Sequence, residues 1–118
     1  MSRFARTLLL ALGIAAASAS AAQHEFQQGM QAYERGDFVQ AQRLFLEAAR
    51  QGDAHAQEML GLMYAFGPEI YRGVPRDLFA AAQWLDRAAA NGRPGARYLY
   101  CAVARKEDLR ATIASYCF

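Results

Sequence analysis

Few residues of this 118-residue chain are of types that do chemistry: two histidines, His24 and His55, two cysteines, Cys101 and Cys117, and eleven carboxylates. Neither histidine stands beside a serine or cysteine nucleophile in sequence, and His55 with Glu58 reads as an ordinary helical charge pattern. General acid–base catalysis needs two acids converging in a desolvated cleft. Glu47, Glu58 and Asp86 fall instead on the polar sides of amphipathic segments. There is no phosphate-binding glycine loop, no H-E-x-x-H and no G-x-S-x-G. A metal held by the cysteine pair would need further Cys or His ligands nearby. The residues therefore read as those of a non-enzyme with no catalytic residue, no metal and no cofactor.

The first 22 residues read as a secretory signal peptide. Arg3 and Arg6 precede an apolar run from Leu8 to Ala17, and small residues from Ala15 to Ala22 allow cleavage after Ala21 or Ala22. The apolar run is about ten residues, short of the roughly 20 that a membrane-spanning helix needs, so no membrane insertion is expected after cleavage. The mature part, residues 23–118, is expected to be one domain in the periplasm or outside the cell. Without Arg3 and Arg6 its eleven Lys and Arg balance eleven Asp and Glu, which gives no electrostatic footprint for nucleic acid. In an exported chain two cysteines are most simply one disulfide, Cys101 to Cys117, worth about 3 kcal/mol in the chain-entropy model. Two free buried thiols are the other reading.

The elements that would carry these residues are helical throughout. Gly73 to Gly92 reads as one helix with a loop at each end: Asp77 is placed as its N-cap and Gly92 as its left-handed C-terminal residue. Ala81, Trp84, Leu85, Ala88 and Ala89 form its apolar stripe. Forty residues earlier Asp37, Ala41, Leu44-Phe45, Ala48-Ala49 and Gly52 repeat the design, so the chain contains an internal repeat whose units must stack. Further helices are expected from about Glu25 to Arg35, with Phe26, Met30 and Tyr33 inward, then over Phe38–Gln51, Ala54–Phe66 and Pro94–Arg105. A short last one over Glu107–Tyr116 would carry Leu109 and Ile113. The fold class is all-α: a short α/α-solenoid of antiparallel helix pairs, two full units and a degenerate third. Gly61 and the paired alanines permit close helix contact, and Trp84 is expected to be buried between neighbouring helices, at a cost of about 3–5 kcal/mol if cut to alanine.

Ala56-Gln57, Leu60-Gly61 and Tyr64-x-x-Gly67, followed by Gly73-Val74-x-x-Asp77, Ala81-x-x-Trp84 and Ala88-Ala89-x-x-Gly92, resemble the Sel-one-like repeat, a relative of the tetratricopeptide repeat. The likeness covers essentially everything after residue 22, more weakly beyond Gly95. Two departures stand out. Five residues, Pro68 to Arg72, separate loop glycines that the family usually spaces by one, and Met30 stands where the family's close-packing glycine is expected.

The resemblance implies a scaffold or adaptor that binds a protein or peptide through the concave side lined by the first helix of each pair. Placed on this chain, the contact positions are Gln27, Gln31 and Glu34, then Glu58, Leu62 and Phe66, then Tyr98, Ala102 and Arg105. Leu62, Phe66 and Tyr98 are the most informative, because apolar and aromatic side chains open on a groove are common at interfaces; their other reading is that they complete the core. Ile70, Tyr71 and Arg72 of the inserted loop form a second candidate surface with no evident packing duty; the other reading is a tolerated insertion folded over its own repeat. An inhibitor or immunity protein blocking a cognate toxic enzyme in the same compartment is the alternative function. So short a stack also leaves helix flanks that a second copy, as a homodimer, or the partner could cover.

Overall fold

The computed structural model of the protein describes residues 19–106 and Cys117. Among these residues five α-helices follow one another: α1 over residues 19–34, α2 Phe38–Arg50, α3 Ala54–Phe66, α4 Leu78–Ala90 and α5 Pro94–Lys106. A 3-10 turn stands at Gly67–Glu69, and there is no strand among the described residues. From α2 onward each helix packs on the next, giving the short all-α solenoid that the repeat predicts. The helix expected over 107–116, with Leu109 and Ile113, lies outside the described residues.

Three of the four connections are chemically alike. Gly36, Gly52 and Gly92 adopt left-handed backbone with φ of 76°, 95° and 95°. In each turn the residue after the glycine donates its N–H back five residues, Asp37 to Ala32 O at 2.9 Å, Asp53 to Ala48 O at 3.1 Å and Arg93 to Ala88 O at 2.9 Å. This is the Schellman arrangement, which satisfies helix carbonyls that would otherwise end unpaired. In the first two turns the same aspartate also starts the next helix: Asp37 Oδ1 accepts from Gln40 N at 3.2 Å and Asp53 Oδ1 from Ala56 N at 2.8 Å. Asp77 caps α4 in the same way, accepting from Ala80 N at 2.9 Å.

α1 starts earlier than the expected Glu25. It is helical from residue 19 through the alanines at the expected cleavage sites, and Ala22 is buried. Alanine is the strongest helix former, and no glycine or proline stands between it and Phe26 to stop the helix. Close packing also differs by one residue from its expected register. The glycine that admits α2 is Gly29, not the position of Met30: a methyl on Gly29 would stand 2.7 Å from the Phe45 ring. Gly61 does the same in the second unit, where a methyl would stand 2.6 Å from Leu85 Cγ. The offset between first helices is thus 32 residues, while that between second helices is 40.

With that register the units can be compared position by position. Leu60 and Met63, fully buried against the first unit, correspond to the exposed Gln28 and Gln31. The outward flank of α1 is therefore polar where α3 is apolar, and among the described residues no helix stacks upon it. In the third unit Tyr100 and Val103 repeat the inward pair, and Cys101 holds the position of Gly29 and Gly61. There the chain makes a covalent contact instead of a close helix crossing, for Cys101 is disulfide-bonded to Cys117 with Cα atoms 5.4 Å apart.

The core lies in two clusters. One is built on Phe45, Leu60 and Met63 between α1, α2 and α3, the other on Leu85, Tyr100 and Ala104 between α4 and α5, with Tyr64 packed on both. Gln57 is buried and ties three helices together: its Nε2 donates to Ala49 O at 3.1 Å and its Oε1 accepts from Asn91 Nδ2 at 3.0 Å. Trp84 is less enclosed than expected. It is partly buried against the first cluster, with the Arg87 guanidinium 4.7 Å over its ring.

Candidate protein-binding groove

Between α3 and α5 the solenoid leaves a cavity of about 200 Å³. Leu62, Ala65 and Phe66 of α3 form one wall and Leu99, Ala102 and Val103 of α5 the other, while Leu78 and Leu85 of α4 lie beneath. Leu85 is fully buried, Leu62 is half-buried and Phe66 is 43% exposed, so an apolar floor grades into an open apolar edge. Helical spacing explains the walls: Leu62 and Phe66 are four residues apart, as are Leu99 and Val103, and such pairs share one helix face.

The structure redistributes the expected contact residues. Leu62, Phe66 and Ala102 come together in the groove, and Tyr98 stands beside them on α5 with 78% of its surface exposed. Arg105 is exposed, and its guanidinium donates to Cys117 O at 2.6 Å. Glu58 is not a free contact. Its side chain is only 14% exposed and accepts from Arg93 at 2.7 Å, and this carboxylate holds the guanidinium pKa above its ordinary value. A glutamate on that flank faces the start of the next first helix, where an arginine is in reach. Gln27, Gln31 and Glu34 are exposed on α1, away from the apolar groove. Gln31 instead lines a separate polar hollow of about 220 Å³ with Gln28, Arg35, Gln40 and Leu44.

The inserted loop is the main correction. Tyr71 is not an open contact residue: the loop folds over its own repeat, with Tyr71 buried in the first core cluster beside the fully buried Val74. The Tyr71 ring lies 5.8 Å from Tyr33, 5.2 Å from Phe38 and 6.5 Å from Phe66, and its hydroxyl shares a 3.2 Å hydrogen bond with that of Tyr33. Burial first, and the Tyr33 hydroxyl second, push the Tyr71 pKa well above the usual phenol range. Main-chain bonds fold the loop back: Tyr71 N donates to Gly67 O at 2.8 Å, Val74 N to Tyr71 O at 3.0 Å and Asp77 N to Tyr64 O at 3.0 Å. Arg76 clasps it by donating to Phe66 O at 2.9 Å and to Glu69 at 2.6 Å. Only Ile70 and Arg72 of the proposed trio remain at the surface. Alternation of Tyr71 and Val74 around one tight turn was the sequence signal for an anchored loop.

Of the residues with chemical potential, His55 packs its ring 4.5 Å from Phe26, and among the described residues no three His, Cys, Asp or Glu side chains gather as a metal site. No described helix is long and apolar enough to cross a membrane. The groove offers apolar contact and shape, not reacting groups.

A family model, the Sel1 repeat, matches the chain twice, over residues 15–53 and 54–92. The first match spans α1 and α2, the second α3 and α4, so its boundaries fall at the Schellman turns that separate the units. No curated protein matches the chain.

Proposed function

The chain belongs to the Sel1 repeat family, whose repeats generally mediate protein–protein interaction, and we propose that it is an exported adaptor that seats a protein or peptide segment in the groove between α3 and α5. The observation that carries this reading is the groove itself. Large apolar side chains, Leu62 and Phe66, stand open on a wall fixed from behind by the fully buried Leu85 and Met63. A rigid apolar recess gives binding free energy without the ordering cost of a flexible one. Export is supported by Arg3, Arg6 and the apolar run after them, and by a disulfide that suits an oxidising compartment.

The test is affinity capture from the cell-envelope fraction of the source organism, with the wild-type chain and with a Leu62→Ala/Phe66→Ala variant shown by circular dichroism to be folded. One dominant protein lost with the variant is the expected result, and identical capture by both baits would remove the groove assignment. Assay of the captured protein then separates an adaptor, which leaves its activity intact, from an inhibitor, which abolishes it.

A further inference from the structure

The groove is apolar, but the charges around it are not balanced. After residue 22 the chain is neutral in sum, yet its charge is sorted along the solenoid. Residues 23–53 carry five acids, Glu25, Glu34, Asp37, Glu47 and Asp53, against Arg35, Arg43 and Arg50. Residues 93–118 carry five cations, Arg93, Arg97, Arg105, Lys106 and Arg110, against Glu107 and Asp108 alone. α5, which forms one wall of the groove, contains no acidic residue at all.

Among the described residues the acids nearest the groove are already engaged. Glu58, one turn before Leu62, is paired with Arg93 at 2.7 Å, and Glu69, just past Phe66, with Arg76 at 2.6 Å. Each pair cancels locally. Arg105, one turn after Ala102 on the opposite wall, donates to a main-chain carbonyl, a neutral acceptor that leaves its positive charge in place. The rim is thus net cationic on the α5 side, above an apolar floor, with the exposed Tyr98 ring on the same helix.

We propose that the segment this groove takes is acidic: a peptide stretch that buries an apolar side chain against Leu62 and Phe66 and lays carboxylates along α5. This rests on the groove being the binding site. Opposite potentials steer encounter and fix the direction in which the segment lies, while the apolar anchor supplies most of the residence time.

The experiment is selection of a random dodecapeptide library displayed on phage against the immobilised oxidised protein, with the Leu62→Ala/Phe66→Ala variant in parallel. Enriched peptides are expected to combine a large apolar residue with net negative charge and to be lost on the groove variant. Affinity of a synthetic peptide from that pool should fall about tenfold between 50 and 500 mM salt. It should fall by a similar factor in an Arg105→Glu variant and return when the peptide's acids are changed to lysine. A neutral or basic consensus that still needs Leu62 and Phe66 would overturn the acidic partner and leave the groove standing. Enrichment that survives the groove variant, or no enrichment, would overturn both. Light scattering that shows a concentration-dependent dimer abolished by Phe66→Ala would also overturn it, by placing a second copy in the groove.

Discussion

Gly61→Ala isolates the close crossing of α3 and α4 on which the groove floor rests. The added methyl would stand 2.6 Å from Leu85 Cγ and 2.8 Å from Leu85 Cδ2, with Ala81 O at 3.4 Å. Leu85 is fully buried, so it cannot yield without displacing its own neighbours. Alanine gains about 0.5–1 kcal/mol over glycine inside a helix, whereas overpacking a filled core costs about 1–3 kcal/mol. Sterics win, and the variant should lose about 1 kcal/mol, or about 4–8 °C in Tm for a domain of this size. Urea unfolding followed by circular dichroism measures it. Gly95→Ala is the control: the nearest atom to its methyl is Glu58 Oε2 at 3.7 Å, an ordinary contact, and no loss is expected. The decisive arm is a cycle with Leu85→Ala, which alone should cost about 2–5 kcal/mol. In the double variant the methyl enters vacated space, so Gly61→Ala should add no further loss, a coupling of about 1 kcal/mol. A Gly61→Ala protein as stable as wild type, or a cycle in which the two losses simply add, would refute the packing account.

Tyr71→Phe should cost about 1 kcal/mol near neutrality by breaking the hydroxyl pair with Tyr33. Because the folded phenol pKa is raised above its unfolded value, that group's contribution is fully present below about pH 10. Above it the unfolded chain releases the proton first, so stability falls as pH rises. Melts at pH 8 and 10.5 should therefore show a steeper alkaline loss in wild type than in Tyr71→Phe, and equal slopes would remove the assignment. Gln57→Leu removes both side-chain bonds while Gly52 N–H still donates to Ala49 O at 3.0 Å, and should cost about 1–2 kcal/mol in urea, more than Asn91→Ala, which breaks only the outer of the two bonds. Cys101→Ser/Cys117→Ser should lower Tm by more than about 10 °C, since a bridge over 16 residues is worth about 3 kcal/mol; an unchanged Tm would mean that the third unit is held by packing alone.

Much of this fold was legible because the repeat is written in residues whose roles are local. Gly36-Asp37, Gly52-Asp53 and Asp77 report turns and caps that involve only their own neighbours, and α2, α3 and α4 start and stop within a residue of where those signals place them. The groove was half legible. Leu62, Phe66 and Ala102 are positions that the resemblance implies, but Glu58 reads as a solvated acid because its partner, Arg93, lies 35 residues on. The register of α1 was misplaced for a similar reason. Tyr33-x-x-Gly36 looks like Tyr64-x-x-Gly67, yet the first pattern ends in a tight Schellman turn and the second leads into a 3-10 turn, which shifts the packing glycine from Met30 to Gly29. Gln57 stands in the repeat motif, but nothing local distinguishes a buried glutamine that spans two turns from an exposed one.

The inserted loop explains why the groove lies between the second and third units and not between the first and second. In the first gap the ring of Tyr71 is set among Tyr33, Phe38 and Phe66, with Val74 buried behind it. An aromatic side chain from the chain itself thus occupies the place at the end of α1 and α3 where a partner's side chain would sit. In the second gap nothing from the described residues fills the corresponding space between Phe66 and α5, and it remains as the 200 Å³ recess. Phe66 is the divide, packed on Tyr71 from one side and open to the groove on the other. Four extra residues after α3 therefore do two jobs through one ring: they close the concave side over the first unit and they brace the wall that a bound segment would press against. An insertion that looks like a spare surface in sequence is, in the folded chain, what fills the first gap and leaves the apolar recess in the second.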